Sequence, residues 1–562
     1  MKFMKKRLVA VILVVAMLSL FVAACGNGEA GRDAPIDFVI YSQLANFSGL
    51  MTGWSAEIMR EKFNVNVIII NDGIDGTFQT RMEAGFLGDI VIFGNDGDDY
   101  RDASDAGMLF DWLEDDLLWT YGPDIADHFM NALNRNKAIT GTLHGFGHGV
   151  AGSAEDHEEF FYYPHIRFDL FSQLGYPSIN TLEDFIPVLY DMVRLEPVSS
   201  VGTPTFGVSS FPDWDGDMVM MVKSTAALYG WEEFHIGLFC TQTWEWQGAL
   251  DPDGWYLRAL RFYNRLFQLG LFDPDSMTQT WDDLREKYQN GVAMFNIFSW
   301  IADHFNTDEH LTQGKMMRPV LAADQMNLVH GLSVYGGSRV WSIGANSNFP
   351  ELAMEIINWL STPEGVLAYN HGPRGITWDV DDDGEAFLTA LGLATKEDSS
   401  TIITYGDWTG EYRLGEFQHN NTTWALDSVN PDSPSGLTFN HVFWPSTELM
   451  REVSDIEQAW RDWSGFVLED DFIKNNGYSV FINSQYSANR QSRELRTIWE
   501  QVTLTIKEGS WRAIYAQSDE EFEAIVAQMT ADAYAFGYQQ CVDWILIEVD
   551  RLREAKRATL GE

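Results

Sequence analysis

Positive charge is scarce in this chain: 37 Lys+Arg stand against 82 Asp+Glu, a formal net charge of -45 over 562 residues. A nucleic-acid partner needs a basic surface to replace condensed counterions, so this balance excludes one. The same field repels anionic surfaces and solutes unless a local pocket overrides it. Cysteine is almost absent, with 3 residues, and no disulfide framework can carry the fold. Cys240 and Cys541 read as buried free thiols, a bridge between them being the alternative, because a secreted body this large needs no staple. Beyond residue 24 no apolar run approaches the roughly 20 residues of a membrane-spanning helix. Also missing are a Gly-x-Ser-x-Gly nucleophile turn, a phosphate-binding glycine loop and a zinc-binding helix motif. A glycosidase-like carboxylate pair can be picked from 82 acidic residues at will, so such pairs carry no evidence for catalysis. The expectation is a protein that is not an enzyme and holds no cofactor and no metal.

What is present begins with the first 25 residues. Lys2, Lys5, Lys6 and Arg7 precede an apolar run from Leu8 to Ala24 interrupted by Ser19, then Cys25. This has the layout of a secretory signal, residues 1–24, with small residues before its cleavage site. Val22-Ala23-Ala24-Cys25 resembles the lipobox of bacterial lipoproteins, which implies lipidation of Cys25. Several acyl chains on one cysteine give a stable tether, since each buried methylene contributes about 0.8 kcal/mol and one chain alone is marginal. Removing residues 1–24 takes away four basic residues and no acidic one, lowering the formal charge from -45 to -49. Residues 25–36 then form the lipidated cysteine and a flexible glycine-rich linker, and residues 37–562 the body.

Within the body, Asp37–Tyr41, Asn64–Ile70 and Gly88–Phe93 are rich in apolar and β-branched residues and read as buried strands. Helical segments at Gly53–Phe63 and Thr77–Ala84 alternate with them, an α/β beginning. Asp72-Gly73 and Asp75-Gly76 read as turns. His144 and His148 share the i, i+4 spacing of metal ligands, but Gly145, Gly147 and Gly149 oppose the helix that would align them. Asp379 to Glu385 imitates the start of a calcium loop, yet Ala390 stands where a bidentate Glu is needed, and a hairpin turn explains the same residues.

The order of landmarks along the chain carries a resemblance. Gly88-Asp-Ile-Val-Ile-Phe93, Ala106–Trp112, Thr142–Gly147, Phe161–Asp169, Leu174–Pro177, the capping-box pattern Thr181–Asp184 and Gly270–Asp275 come first. Asn290–Phe295, Asn348–Gly365, Trp378 with Asp383-Gly384, Leu388–Gly392 and Ser518–Phe522 follow. Together they resemble bacterial family 1 extracellular solute-binding proteins, the substrate-binding lipoproteins of ABC importers, in their longer LplA-like, carbohydrate-type subgroup. The match is looser from about 405 to 487. The resemblance implies a periplasmic-binding-protein-like fold: two α/β lobes joined by a hinge, with the ligand in the cleft between them. The expected division is 37–145 with 300–345 for the first lobe and 146–299 with 346–562 for the second. It also implies a helix opening at Ser518 as the last of the chain, an oligosaccharide or other small solute as ligand, and permease subunits as partners at the outer face of a cell membrane.

Tryptophan is abundant, with 21 residues. Aromatic faces match the C–H faces of pyranose rings while carboxylates and amides take the hydroxyl edges. Trp214, flanked by Asp213 and Asp215, and Trp300, after Asn296 and Ser299, combine an aromatic face with polar neighbours; these two tryptophans with Asp213 and Asp215 are candidate ligand-binding residues, joined by Arg167 and Asp169, and most other tryptophans serve the core. Arg167 and Asp169 sit where the resemblance places the cleft. Their alternative is an ion pair that steadies the loop. A peptide or other polar solute as ligand, a surface glycoside-processing enzyme and a purely structural surface lipoprotein are the competing readings.

Overall fold

A computed structural model describes residues 34–72, 77–420, 422–451 and 453–562. The expected signal segment, Cys25, most of the linker and the turns at residues 73–76 lie outside the described residues.

The first lobe follows from its β-branched runs. Strand Ile36–Ser42 pairs in parallel with Val65–Asn71 on one side and with Ile90–Asn95 on the other. Helices Trp54–Phe63 and Thr77–Ala84 make the crossovers. Strand Ser338–Ile343 then adds antiparallel to Ile90–Asn95, and Gly145–Phe146 adds beyond it. Thr142–Gly147 therefore closes the first sheet. Phe38, Ile40, Val67, Ile69, Ile90 and Ile92 pack one face, and Tyr41, Val91, Phe93 and Val340 the other. Helix Trp54–Phe63 can approach a neighbouring loop because Gly53, at φ 105°, lacks a side chain: a Cβ there would stand 2.2 Å from the Cα of Gly415. Trp54 Nε1 donates to the carbonyl of Tyr412 at 3.0 Å and fixes the same loop.

In the second lobe, strand Tyr162–Arg167 lies between Phe295–Phe298 and Met317–Pro319, antiparallel to both. Helices Phe185–Leu195, Trp255–Gln268 and Arg493–Ile514 surround it. Thr181 and Asp184 form the expected capping box. Ser518 caps helix Asp519–Phe536 by accepting from the Glu521 amide at 3.2 Å. That helix is not the last, because Gly537, at φ 107°, turns the chain into Tyr538–Leu560.

The cores divide the chain differently from the expected boundaries. Ile301, Phe305, Met317 and Val320 share one core with Ile166 and Phe168, so residues 300–322 belong to the second lobe. Helix Pro350–Ser361 and the segment up to Trp444 pack with Ile40, Ile92 and Trp341 in the first. The chain returns to the second lobe by Trp460. Strand pairing decides the first change, since Met317–Pro319 takes its hydrogen bonds from Tyr162–Arg167. The second follows from the apolar stripe Ala353, Ile356, Ile357 and Leu360, which only the first lobe covers.

Candidate functional site

Three crossings join the lobes, and strand register fixes where they enter. Ser338 stands opposite Asn95, the carboxyl end of a parallel strand, and Phe146 opposite Trp341 runs toward that same edge. Both crossings thus meet the first lobe at the carboxyl edge of its parallel strands, where ligands of α/β sheets bind. The first two crossings are zipped together. Ala151 N–H donates to Ser333 O at 2.8 Å, Leu332 N–H to Asp156 O at 2.7 Å and Glu158 N–H to His330 O at 2.9 Å. The buried Asp156 carboxylate accepts from the Ser428 hydroxyl and, at 3.3 Å, from the Val429 amide, tying this strap to a first-lobe loop.

On the second lobe, the end of the sheet next to the crossings is Tyr162 paired with Phe298, and it is aromatic. Trp300 follows Phe298 after one residue, Ser299. Its ring lies 4.9 Å from that of Trp281 and 5.6 Å from that of Trp214, while Trp214 and Trp281 stack at 5.4 Å and 26°. Phe161 extends the row at 6.0 Å from Trp300. Trp214 is 47% exposed and Phe161 39%, so the row is an open shelf and not a core. The indole nitrogen of Trp300 is buried without a hydrogen-bond partner.

Beneath Trp300 lies a pocket of about 290 Å³ lined by Glu159, Tyr163, Asp303 and Glu469 from the second lobe side and by Val442 and Phe443 from the first. Phe443 and Asp470 also line an adjoining pocket of about 590 Å³ that reaches Trp424 and Asp427 of the first lobe. The two together form a groove between the lobes. Glu469 anchors its floor: Tyr163 donates to it at 3.0 Å, His165 Nε2 lies at 3.3 Å, and Arg318 pairs with it. Burial opposes ionisation of this carboxyl, but Arg318 and His165 outweigh it and hold its pKa at about 2.

Of the six expected ligand residues, the structure brings Trp214 and Trp300 together on the shelf. Asp213 is exposed beside them, with the Trp281 amide at 3.4 Å. Asp215 is buried and turned away: it accepts from the Met220 amide at 2.9 Å at the start of helix Met220–Thr225, and from Trp511 Nε1 at 2.7 Å. Arg167 and Asp169 are at the far end of their strand, about 17 Å from Tyr162 at the ordinary rise of a strand. Arg167 is 0% exposed, and its fork is taken by Asp169 at 2.9 and 2.7 Å and by Glu196 at 3.2 and 3.0 Å. The loop-steadying ion pair is therefore the reading the geometry favours for these two.

Sequence reasoning missed Trp281, Phe161 and the carboxylates of the groove. Trp281 opens the helix Trp281–Gln289, capped by Thr280 with Asp283.

His144 bonds Phe110 O at 2.9 Å and Thr142 Oγ1 at 2.7 Å, while His148 receives the indole N–H of Trp341, so the pair does not converge. Burial holds the His148 pKa well below its ordinary value. Asp379 to Glu385 ends the strand Trp378–Val380 and makes the turn, residues 381–385, to its partner Ala386–Leu388, and Asp381 accepts from the Asp383 and Glu385 amides. Cys240 and Cys541 are buried free thiols in the second lobe. No helix among the described residues is long and apolar enough to cross a membrane.

No family model and no curated protein matches this sequence. Among solved structures, 93% of the chain is similar to 100% of the N-glycan transport solute binding protein NgtS from Streptococcus pneumoniae, at 13% identity and a TM-score of 0.40. The same organism's ABC-transporter substrate binding protein FusA, in complex with kestose, matches at 14% identity and a TM-score of 0.41, covering 92% of this chain and 99% of that one. An HMO binding, ABC-transporter associated solute binding protein from Bifidobacterium longum infantis matches at 13% and 0.44, again over 92% and 99%. At these values the likeness bears on neither ligand nor mechanism.

Proposed function

We propose that this chain is an extracytoplasmic solute-binding protein that captures an oligosaccharide between its lobes and delivers it to the permease of an ABC importer. The observation that carries the reading is the shelf of Trp214, Trp281 and Trp300 at the mouth of a groove lined from both lobes. A ligand lying on the shelf and touching Phe443 bridges the lobes, and its added contacts in the closed state shift the equilibrium toward closure. The closed form is what a permease would recognise. An aromatic run favours a sugar over a peptide, whose termini need a fixed charged anchor, and Arg167 is spent on Asp169 and Glu196. The reading assigns no catalysis, in keeping with the lack of a nucleophile-and-base motif in the sequence.

Titration with neutral mono- and oligosaccharides, followed by calorimetry and tryptophan fluorescence, tests it. Saturable binding that raises the melting temperature supports the reading; sustained turnover of an oligosaccharide by the purified protein would replace it with the enzyme alternative. Attachment through Cys25 belongs to the same proposal and rests on the Val22–Cys25 junction. Cys25→Ser should leave the membrane fraction or remain unprocessed, and a parent chain without lipid by mass spectrometry would remove the anchor.

A further inference from the structure

The row of rings does not end at Phe161. Tyr162 stands 5.0 Å from it, the His330 imidazole 6.3 Å from Tyr162, and the Phe481 ring 6.2 Å from His330. His330 and Phe481 border a second pocket, of about 460 Å³, whose other walls include Glu158, Glu232, Asn483 and Tyr486. The surface along this row is open: Phe161 is 39% exposed, and the side chains of Glu233 and His330 are 36% and 35% exposed.

A line of polar contacts joins the same two places. Asp215 follows Trp214, and its carbonyl accepts from Lys223 Nζ at 2.9 Å, while the same ammonium pairs with Glu233 at 2.7 Å. Next to Glu233 in the strand Trp231–Glu233 is Glu232, which pairs with His330 at 3.2 Å. Each of these pairs engages Oε2 of its carboxylate. A carboxylate held through one oxygen still accepts a hydroxyl with the other.

The pocket is built against the hinge. Glu158 and Gly331 belong to the two zipped crossings. The facing wall, residues 482–486, is a strap pinned at both ends by the C-terminal helix Tyr538–Leu560. Lys556 Nζ donates to Ile482 O at 2.6 Å, and the Tyr486 hydroxyl donates to the fully buried Glu548 at 2.9 Å. Between the two pins Asn483 lines the pocket, and its side chain makes no hydrogen bond among the described residues.

From the continuous ring row and the pinned polar strap, we infer that the cleft holds a second sugar subsite at the hinge, formed by Glu232, His330, Asn483 and Tyr486, and that the protein thereby selects saccharide chains long enough to span from shelf to strap over mono- and disaccharides. This rests on the oligosaccharide reading above. One end of the chain stacks on Trp214, Trp281 and Trp300, its middle follows Phe161 and His330, and its far end presents hydroxyls to Asn483 and Glu232. A long ligand then touches the crossings themselves at Glu158 and Gly331. A short one held on the shelf does not.

The test is calorimetric titration of the intact protein with dimers and tetramers in three series: cellobiose and cellotetraose, maltose and maltotetraose, mannobiose and mannotetraose. At least one tetramer should bind on the order of tenfold tighter than its dimer. Asn483→Ala and Glu232→Gln should each weaken that tetramer about fivefold, the size of one lost hydrogen bond, and leave the dimer unchanged. Gln485→Ala, exposed on the same strap and outside the pocket, should alter neither. If Glu232→Gln lowers the apo melting temperature, Asn483→Ala decides alone, since its side chain supports nothing in the fold. The inference falls if every dimer binds as tightly as its tetramer, or if the pocket variants leave the tetramer unchanged. It falls equally if they weaken dimer and tetramer alike, or if Gln485→Ala acts as they do. Any of these with a saccharide still bound sinks the subsite alone. Failure of every saccharide to bind would sink the oligosaccharide reading with it.

Discussion

The strands of the first-lobe sheet bury no charged side chain: between Phe38, Ile40, Val67, Ile69, Ile90 and Ile92 the polar residues inside are the hydroxyls of Ser42 and Ser342. The central strand of the second lobe, Tyr162–Arg167, carries His165 and Arg167, both fully buried. They are answered by Asp169, Glu196 and Glu469 from elsewhere in the lobe. One sheet is held by apolar burial; the other adds a paired ionic core whose strength depends on every partner being present. Functional chemistry gathers in the second kind of lobe, because the same buried polar frame that orients Tyr163 and Glu469 also floors the groove.

The contrast can be broken most forcefully at Arg167. Arg167→Ala leaves Asp169 and Glu196 without their shared cation, and removing one member of a buried pair costs about 3 to 5 kcal/mol. In scanning calorimetry the second-lobe transition should drop sharply while the first-lobe transition stays. Ile92→Ala is the counterpart: a fully buried methyl-rich side chain lost from a dry sheet costs about 2 to 5 kcal/mol and should lower the first-lobe transition alone. If either variant moves both transitions together, the lobes unfold as one unit and the comparison between them has no thermodynamic content.

Acid sharpens the same contrast. The Glu469 carboxyl is held at about 2 against an ordinary value of 4.5. A depressed folded-state pKa contributes stability that is fully present above the unfolded value and is lost as pH falls from about 4.5 toward 2. A shift of that size corresponds to about 3 kcal/mol. Between pH 5 and 3 the second lobe should therefore lose stability through Glu469, and Glu469→Gln should flatten that dependence, while the first lobe answers acid through its buried His148 and His371, both held well below the ordinary histidine value by burial. An unchanged acid response of the second lobe in Glu469→Gln would mean that the ionic floor does not set it.

The same asymmetry decides what could be read from the sequence. The strands at Asp37–Tyr41, Asn64–Ile70 and Gly88–Phe93 were legible because a parallel, doubly covered strand declares itself by local composition. The Thr181 cap was legible because it closes within four residues. The lobe boundaries were not, since Met317–Pro319 pairs with a strand about 150 residues earlier and nothing local records it. Arg167 and Asp169 have the residue types of a ligand fork. Only the fold brings up Glu196, 29 residues away, and Lys315, which complete a structural network. Trp214 and Trp300 were legible through their polar neighbours. Trp281 hid at the start of a helix, and Glu159 hid among 82 acids.

The gentlest change falls on the shelf, where the two kinds of tryptophan in this protein can be told apart. Trp341 is fully buried in the first lobe, and its loss to Ala should cost about 3 to 5 kcal/mol of folding stability with no direct effect on a ligand. Trp214, 47% exposed, packs on one side against Phe211 and Trp281 and leaves the other to solvent. Trp214→Ala should lower the melting temperature of the free protein far less than Trp341→Ala does. It should also weaken an oligosaccharide that stacks there by about 1 to 3 kcal/mol, roughly 5- to 150-fold. Trp300→Ala should act in the same direction, with a larger stability loss because its ring is partly covered by Phe161 and Phe298. The paired measurement of apo melting temperature and affinity separates the roles. Unchanged affinity together with a large loss of apo stability at both Trp214 and Trp300 would move the shelf into the core and leave the groove without its platform.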